Sequence, residues 1–372
     1  MKKFNGSSMI VLILIFSFML TTCLTENLKM PFKTYTPSNL GDGWVIGKPD
    51  DRDINMDRNE LKKIYEYIHE DDNIWQIRSL LVFRNGKLIA ESYMKDNGDR
   101  TNLRPIWSCT KQVTGILAGI AIENGNIHLD KTISDYLPQQ VSSSQYAEKS
   151  TISIENLLMM ESGINWDNDD DTSELLSEKT SNSLDYVLSH DMHSTPGTKF
   201  NYNDGDPHIV SAIIQETTGE TMRDWARKVL FDKIGITRLQ WAAYKDGITI
   251  GAFGILTTPR ELAKIGQLVL NHGAWDGAQI VSTDWIKQMT EPKVSFSKTS
   301  DADISFGYYW WKESIRNISV MWGHGGQFIF LNEDKNLMMV TTAETRTQGD
   351  WKVPIYDVLP IYDRIINCIT DP

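Results

Sequence analysis

A serine followed three positions later by a lysine is a pair that could carry out nucleophilic chemistry. On a helix the two side chains share one face, so the lysine amine can take the serine proton and activate the hydroxyl toward a carbonyl carbon. A chain of 372 residues is expected to hold about one or two such matches by chance. This chain holds three, which are Ser92/Lys95, Ser108/Lys111 and Ser295/Lys298. The spacing alone therefore selects none of them.

The surrounding sequence distinguishes the three serines. Ser92 falls in a predicted strand, where residues three apart point to opposite faces, and Ser295 falls in a predicted polar loop after Pro292. Ser108 begins a segment up to Glu123 whose apolar residues recur at helical spacing. At a helix N-terminus, unpaired N–H groups and the helix dipole favour developing negative charge. From this helix alone, Ser108 fits an N-cap as well as a nucleophile.

Two further motifs accompany the one around Ser108, and the three occur in the order typical of one family. The motifs are Trp107-Ser-Cys-Thr-Lys111, Pro196-Gly-Thr-Lys-Phe-Asn-Tyr202 and Gly323-His-Gly-Gly-Gln327. On these residues the sequence resembles the serine β-lactamase-related hydrolases, from about Leu80 to Ala343. That group includes class C β-lactamases, penicillin-binding proteins, D-amino-acid peptidases, related esterases and 6-aminohexanoate-dimer hydrolases.

The resemblance implies roles for three residues. Ser108 would be the acylated nucleophile, Lys111 its hydrogen-bonded base partner, and Tyr202 a second base that relays protons. Attack would give an acyl-enzyme that water then hydrolyses, and this chemistry needs no cofactor and no metal. A tyrosine in such a context is otherwise a core or rim residue, so the role of Tyr202 depends on the resemblance.

The third motif stands where β-lactamases carry Lys-Thr-Gly on an edge strand. Here His324 replaces the lysine, and the resemblance implies that His324, Gly325 and Gly326 bind the substrate. The backbone N–H groups of Ser108 and Gln327 would form the oxyanion hole. The alternative is a glycine-rich turn that only joins two strands.

One position departs from the family pattern. The family's Tyr-x-Asn reads Tyr202-Asn203-Asp204, which puts an acid at a position implied to bind substrate. Without the lysine of the third motif, the site also lacks a cation for a β-lactam carboxylate. We therefore expect a small or peptide-like carboxylic ester or amide as substrate. The alternatives are a β-lactamase or D-amino-acid peptidase, and a non-catalytic sensor that binds peptidoglycan or penicillin.

Tryptophans cluster beside these motifs and on strands expected to border the pocket. They are Trp107, Trp166, Trp310, Trp311 and Trp322. Most large aromatic residues belong to the core. The hypothesis that some of them form an apolar wall for an acyl group predicts that medium-chain nitrophenyl esters are better substrates than acetates.

Strand patterns lie at both ends of the chain, and helical patterns lie between them. An Asn85-Gly86 hairpin stands near the start, and strands at Phe306–Lys312, Ile318–Trp322, Gln327–Leu331 and Leu337–Ala343 stand near the end. The pattern predicts an α/β (α+β) fold of the β-lactamase/transpeptidase type, with one antiparallel sheet drawn from both chain ends and flanked by helices. The predicted parts are a lead-in at 24–58, a discontinuous sheet domain at 59–125 and 291–372, and a helical domain at 126–290.

The first 23 residues carry an export pattern. Lys2 and Lys3 precede an apolar run from Met9 to Leu20, which is too short for a stable membrane span. Cys23 stands where a bacterial lipoprotein signal would place its lipid-modified cysteine. We expect a periplasmic or extracellular protein, with Cys23 a candidate for lipidation and a membrane tether.

Composition and spacing speak against other partners. Lys and Arg number 37 against 49 Asp and Glu, and the net charge of −12 repels nucleic acid. An alternating acidic segment was compared with a calcium loop, and it comprises Asp167, Asp169, Asp171 and Glu178. Thr172 stands where that loop requires glycine, so we predict no metal site. The sequence leaves the oligomeric state open.

Overall fold

Fourteen strands are present in the part of the chain that the structure describes. The computed structural model describes residues 35–71, 74, 76–142, 146–177, 181–345 and 353–370, so the predicted signal and Cys23 lie outside the described residues. The strands are β1 (Val45–Ile46), β2 (Ile77–Arg84), β3 (Lys87–Tyr93), β4 (Arg104–Pro105), β5 (Leu239–Trp241), β6 (Ile255–Thr257), β7 (Ala274–Trp275), β8 (Ala278–Gln279), β9 (Val294–Lys298), β10 (Asp303–Phe306), β11 (Trp311–Glu313), β12 (Ile318–Gly323), β13 (Gln327–Asn332) and β14 (Leu337–Ala343).

Ten of the twelve α-helices in the described residues lie between β4 and β9. Within the described residues, the α-helices are α1 (Arg58–Glu70), α2 (Cys109–Glu123), α3 (Ile133–Tyr136), α4 (Pro138–Val141), α5 (Ile154–Leu158), α6 (Asp171–Leu176), α7 (Ser183–Ser189), α8 (Gly205–Thr218), α9 (Met222–Ala226), α10 (Pro259–Leu270), α11 (Thr283–Thr290) and α12 (Ile355–Ile366). None of these helices is long and apolar enough to cross a membrane.

The main sheet has nine strands and joins the two ends of the chain. Its order is β1-β3-β2-β14-β13-β12-β11-β10-β9. Neighbours are antiparallel except β1 and β3, which are parallel. Helices α1 and α12 cover one face, and the cluster containing α2 and α10 covers the other. This architecture confirms the predicted fold class.

The hairpin between β2 and β3 shows how local sequence starts this sheet. Asn85 and Gly86 have φ angles of +50° and +73°, as a two-residue turn with the twist of a hairpin requires. All of β2 is buried, since helices cover both of its faces. The prediction of this hairpin is confirmed.

Helix α10 ties the helical part of the chain to the sheet. It lies inside the predicted helical domain, yet it packs against β2, β13 and β14. Arg260 on α10 is buried and pairs with Glu91 of β3 at 2.6 Å and with Asp42 at 3.0 Å. The two parts share one hydrophobic cluster, and the domain boundaries stay a prediction.

Two predictions about the C-terminal strands are wrong. The segment predicted as one strand from Phe306 to Lys312 is interrupted: Phe306 ends β10, Trp311 begins β11, and the turn between them is closed by a hydrogen bond from Gly307 N to Trp310 O at 2.8 Å. A Cβ on Gly307 would lie 2.3 Å from the Met289 carbonyl oxygen, so the chain bends where only glycine fits. Ser295 lies on edge strand β9, not in a loop, because that segment pairs with β10.

Candidate active site

Ser108 stands immediately before helix α2. Its backbone is already helical, with φ −63° and ψ −9°, and its hydroxyl makes no capping hydrogen bond. The oxygen instead accepts a hydrogen bond from Lys111 Nζ at 3.0 Å. Ser108 therefore occupies the N-cap position without acting as a capping side chain, and the residue is half-buried.

The backbone is strained at the residue before this serine. Trp107 has a φ of +51°, which is unusual for a bulky side chain and is a feature that collects at functional sites. The indole N–H donates to Thr345 Oγ1 at 3.1 Å, and the ring packs edge-on against His324 with centroids 5.7 Å apart. Sequence reasoning missed this strain, and the residues that contact the Trp107 ring, His324 and Thr345, are distant in sequence.

Lys111 is the buried centre of the site. Its Nζ donates to Ser108 Oγ at 3.0 Å, to the Ala252 carbonyl oxygen at 3.3 Å and to Asp204 Oδ1 at 2.5 Å. Burial lowers the pKa of the Lys111 amine, but Asp204 and Tyr202 outweigh burial, and the pKa lies above its usual value. Both partners therefore favour the ammonium form of Lys111.

Tyr202 reaches Lys111 from the segment that precedes α8. The Lys111 Nζ lies 4.8 Å from the centre of the Tyr202 ring. The segment is fixed by a hydrogen bond from Asn201 N to Met160 O at 2.8 Å. The ring also packs against Trp311 with centroids 5.7 Å apart. The structure thus brings together Ser108, Lys111 and Tyr202, which are distant in sequence.

Asp204 is placed behind Lys111. The residue is 7% exposed, and its two carboxylate oxygens accept hydrogen bonds from Lys111 and, at 2.9 Å, from Thr172 Oγ1. Sequence reasoning expected this side chain to bind substrate. In the structure each oxygen has a partner within the protein, and substrate binding by Asp204 stays a prediction. The sequence indicated an unusual charge here, because Asp204 replaces the asparagine of the family's Tyr-x-Asn motif. The contact with Thr172 left no signal in the sequence.

Thr172 is the residue through which the acidic segment reaches the site. Helix α6 begins at Asp171, which pairs with His190 at 3.2 Å, and it presents Thr172 to Asp204. Among the described residues, no three His, Cys, Asp or Glu side chains gather as a metal ion would require. Glu178 lies outside the described residues.

The glycine-rich turn between β12 and β13 lies against the start of α2. A Cβ on Gly323 would come within 2.3 Å of the Ile106 carbonyl oxygen, so this approach requires glycine. Gly325 and Gly326 have φ angles of +80° and +109°. The turn therefore carries its motif beside Ser108, with the Gln327 side chain held by two hydrogen bonds to the Ala343 backbone at 2.9 and 3.1 Å.

A row of aromatic rings on strands β9 to β12 adjoins Tyr202. Trp311 contacts Phe306, Phe296 and Trp322 with centroids 4.8, 5.4 and 5.1 Å apart. Phe296 is 42% exposed on edge strand β9 and packs 4.2 Å from Phe200. Of the tryptophans singled out from the sequence, Trp310 is fully buried core, whereas Trp311 and Trp322 are half-buried in this row of rings.

Comparisons with known proteins agree with this fold. The family model described as Beta-lactamase matches residues 78–356. A 6-aminohexanoate-dimer hydrolase of Paenarthrobacter ureafaciens is 23% identical over 230 residues, which cover 57% of this chain and 56% of the relative. The chain thus matches only about half the length of that curated relative.

Solved structures resemble the chain over most of its length. A family VIII carboxylesterase has a TM-score of 0.64 at 14% identity, and the alignment covers 83% of this chain and 97% of the esterase chain. A class C β-lactamase has a TM-score of 0.63 at 15% identity, and the alignment covers 87% of this chain and 99% of the β-lactamase chain. At such identities the likeness concerns the fold.

Proposed function

The chain belongs to the β-lactamase family, as its sequence motifs indicated, and from that membership we propose that it is a serine hydrolase that cleaves a carboxylic ester or amide through an acyl-enzyme on Ser108. The observation that carries the proposal is the contact of Ser108 Oγ with Lys111 Nζ at 3.0 Å, with the centre of the Tyr202 ring 4.8 Å from the same amine. A half-buried hydroxyl beside an internal amine and a phenol has partners for every proton transfer that acyl transfer needs.

The proposed reaction has two balanced halves. Ser108 Oγ bonds to the carbonyl carbon while its proton passes to the Lys111/Tyr202 pair, and the carbonyl oxygen takes up the electron pair beside the N–H groups of Ser108 and Gln327. Collapse breaks the bond to the alcohol or amine, which takes the proton from the pair. Water then gives a proton to the same pair and attacks the acyl carbon. Release of the acid returns the proton to Ser108.

An ester with an apolar acyl or aryl group is the substrate class that the site supports best. The rings of Trp311, Phe296 and Trp322 offer such a group a surface next to Tyr202. His324 stands where β-lactamases have lysine, so the site lacks the cation that would bind a β-lactam carboxylate. Asp204 replaces the family's asparagine and is paired with Lys111.

A substrate panel tests the proposal. Nitrophenyl esters of two to eight carbons, the matching anilides and nitrocefin are compared on the purified protein, with Ser108→Ala as the blank. We expect ester turnover that disappears in Ser108→Ala and weak or no nitrocefin turnover. Rapid nitrocefin hydrolysis would favour the β-lactamase alternative, and a stable penicillin adduct without turnover would favour the sensor.

We also propose export, on the strength of the N-terminal pattern alone. Lys2, Lys3 and the apolar run resemble a signal, and Cys23 is the candidate for lipid attachment. Fractionation of bacteria that express the full chain or Cys23→Ser tests this. A lipid anchor predicts membrane association that Cys23→Ser abolishes.

A further inference from the structure

Asp204 is the buried counter-ion of Lys111. The two side chains meet at 2.5 Å and are 9% and 0% exposed. The second carboxylate oxygen accepts a hydrogen bond from Thr172 Oγ1 at 2.9 Å, so the carboxylate cannot turn away. Coulombic attraction is strong where water is excluded, and loss of one partner would leave the other charge buried alone.

Asp204 opposes the formation of a base at either candidate residue. If Lys111 is the base, it must be a neutral amine, and the carboxylate favours the ammonium ion. If Tyr202 is the base, it must be a phenolate, and a lone ammonium ion 4.8 Å from its ring would help that anion to form. Asp204 has already neutralised that ammonium ion. The carboxylate therefore has the same effect under both assignments.

We propose that Asp204 is a positioning residue that holds Lys111 as an ammonium ion and thereby moves the onset of Ser108 acylation to alkaline pH. The proposal rests on the proposed function, since it concerns the control of that same site. The asparagine of the family's Tyr-x-Asn pattern carries no charge, so a site with asparagine at position 204 would form its base at lower pH.

Other titratable side chains face the pair from three elements and do not replace Asp204. Cys109 lies near Lys111 on α2, and burial raises the pKa of its thiol well above the usual range, with Lys111 opposing the rise. Tyr244, in the segment after β5, faces Asp204 and is kept neutral because burial raises its pKa. Tyr309, between β10 and β11, faces Tyr202, and burial raises the pKa of its phenol well above the usual value, with Asp206 and Tyr202 adding to the rise. The charge on Lys111 thus depends chiefly on Asp204 and Tyr202.

The pH dependence of kcat/KM on p-nitrophenyl butyrate tests the proposal. We expect Asp204→Asn to shift the acid-side midpoint of the kcat/KM profile to lower pH by about one unit or more. Below the wild-type midpoint, kcat/KM of the variant should then exceed that of the wild type about tenfold. Asp204→Glu keeps the carboxylate, so its acid-side midpoint should match that of the wild type. Asp169→Asn removes the same charge from an exposed position in the acidic segment and should change nothing. The same acid-side midpoint in Asp204→Asn and in the wild type would overturn the proposal.

A titration of Lys111 in the wild type needs neither turnover nor a stable variant. With lysines labelled with carbon-13 at Cε, and the Lys111 signal assigned by its loss in Lys111→Arg, we expect the ammonium ion to persist beyond the pH at which exposed lysines lose their protons, because Asp204 raises the pKa of the Lys111 amine. Loss of its proton near neutral pH would refute this inference while leaving ester hydrolysis by Ser108 intact. Persistence of the ammonium ion in a protein that hydrolyses no ester would instead refute the proposed function.

Discussion

The Cys109 thiol donates a hydrogen bond to the backbone carbonyl oxygen of Gln327 across 3.4 Å. This contact joins the residue after the nucleophile to the first residue of β13. It fixes the relative position of the two backbone segments from which we propose that the oxyanion hole is built. Catalysis should therefore be sensitive to small displacements of the turn between β12 and β13.

Gly325→Ala tests the importance of that turn. Gly325 has a φ of +80°, and an added Cβ would lie 2.2 Å from Thr345 Cγ2, so the turn must shift. We expect kcat to fall by at least about tenfold, because oxyanion donors act only at short range. Gly86→Ala is the control, since Gly86 has a φ of +73° but open space around it. An equal loss of activity in both variants would argue against a role for the turn.

Tyr202→Phe tests the phenol. The ring contacts with Trp311 and Phe306 remain, so we expect a stable protein whose kcat is reduced about 10²- to 10³-fold because a proton relay is lost. Steady-state kinetics and thermal unfolding give the two readouts. Tyr136→Phe, which removes a hydroxyl that accepts from His128 N at 2.7 Å, should keep full activity. Undiminished turnover in Tyr202→Phe would remove this residue from the mechanism.

Phe296→Ala tests the apolar surface. A large exposed ring on edge strand β9 next to Trp311 can be buried by an acyl chain. We expect KM for the hexanoate ester to rise about fivefold, since part of a phenylalanine's burial energy is lost, with little change for the acetate. Tyr356→Ala removes a similarly exposed ring, 47% exposed, from α12 and should affect neither ester. A parallel change on both esters would contradict a role in acyl recognition.

Asp206 links stability to pH. Burial raises the pKa of this carboxyl from 3.8 to about 7, so the folded state binds a proton that the unfolded state releases. The stabilisation is complete below about pH 4 and is lost as the pH rises toward 7, on the order of a few kcal/mol in total. Urea unfolding of wild type and Asp206→Asn at pH 4.5, 6 and 7.5 measures the free energy of unfolding of each protein. We expect the variant to become more stable relative to the wild type as the pH rises. A difference in free energy of unfolding that is the same at all three pH values would contradict the assignment.

Elements set by local sequence were predictable. The Asn85-Gly86 turn, the helix after Ser108 and the one that begins with Pro259 follow from turn residues, capping and periodicity, and all three are present. Edge strand β9 was missed because its polar sequence becomes a strand only by pairing with β10. Long-range pairing of this kind leaves no local signal.

Sequence motifs pointed to the residues of the candidate site, but not to the ion pair and hydrogen bond around Lys111 and Asp204. The motifs supplied Ser108, Lys111 and Tyr202, since each motif is local. The ion pair of Lys111 with Asp204 and the hydrogen bond from Thr172 depend on how α2, α6 and the segment before α8 pack. Sequence reasoning therefore placed Asp204 in contact with substrate, whereas the structure makes it the partner of Lys111.

Covalent labelling of the nucleophile tests the central claim most directly. A fluorophosphonate should phosphonylate the Ser108 hydroxyl and release fluoride. Ser295→Ala is the matched control, because Ser295 begins another Ser-x-x-Lys match but lies on strand β9. Intact-mass and peptide analysis should find one adduct, on Ser108, in the wild type and in Ser295→Ala, and none in Ser108→Ala. Labelling of Ser108→Ala at the wild-type rate would contradict the assignment of Ser108 as the nucleophile.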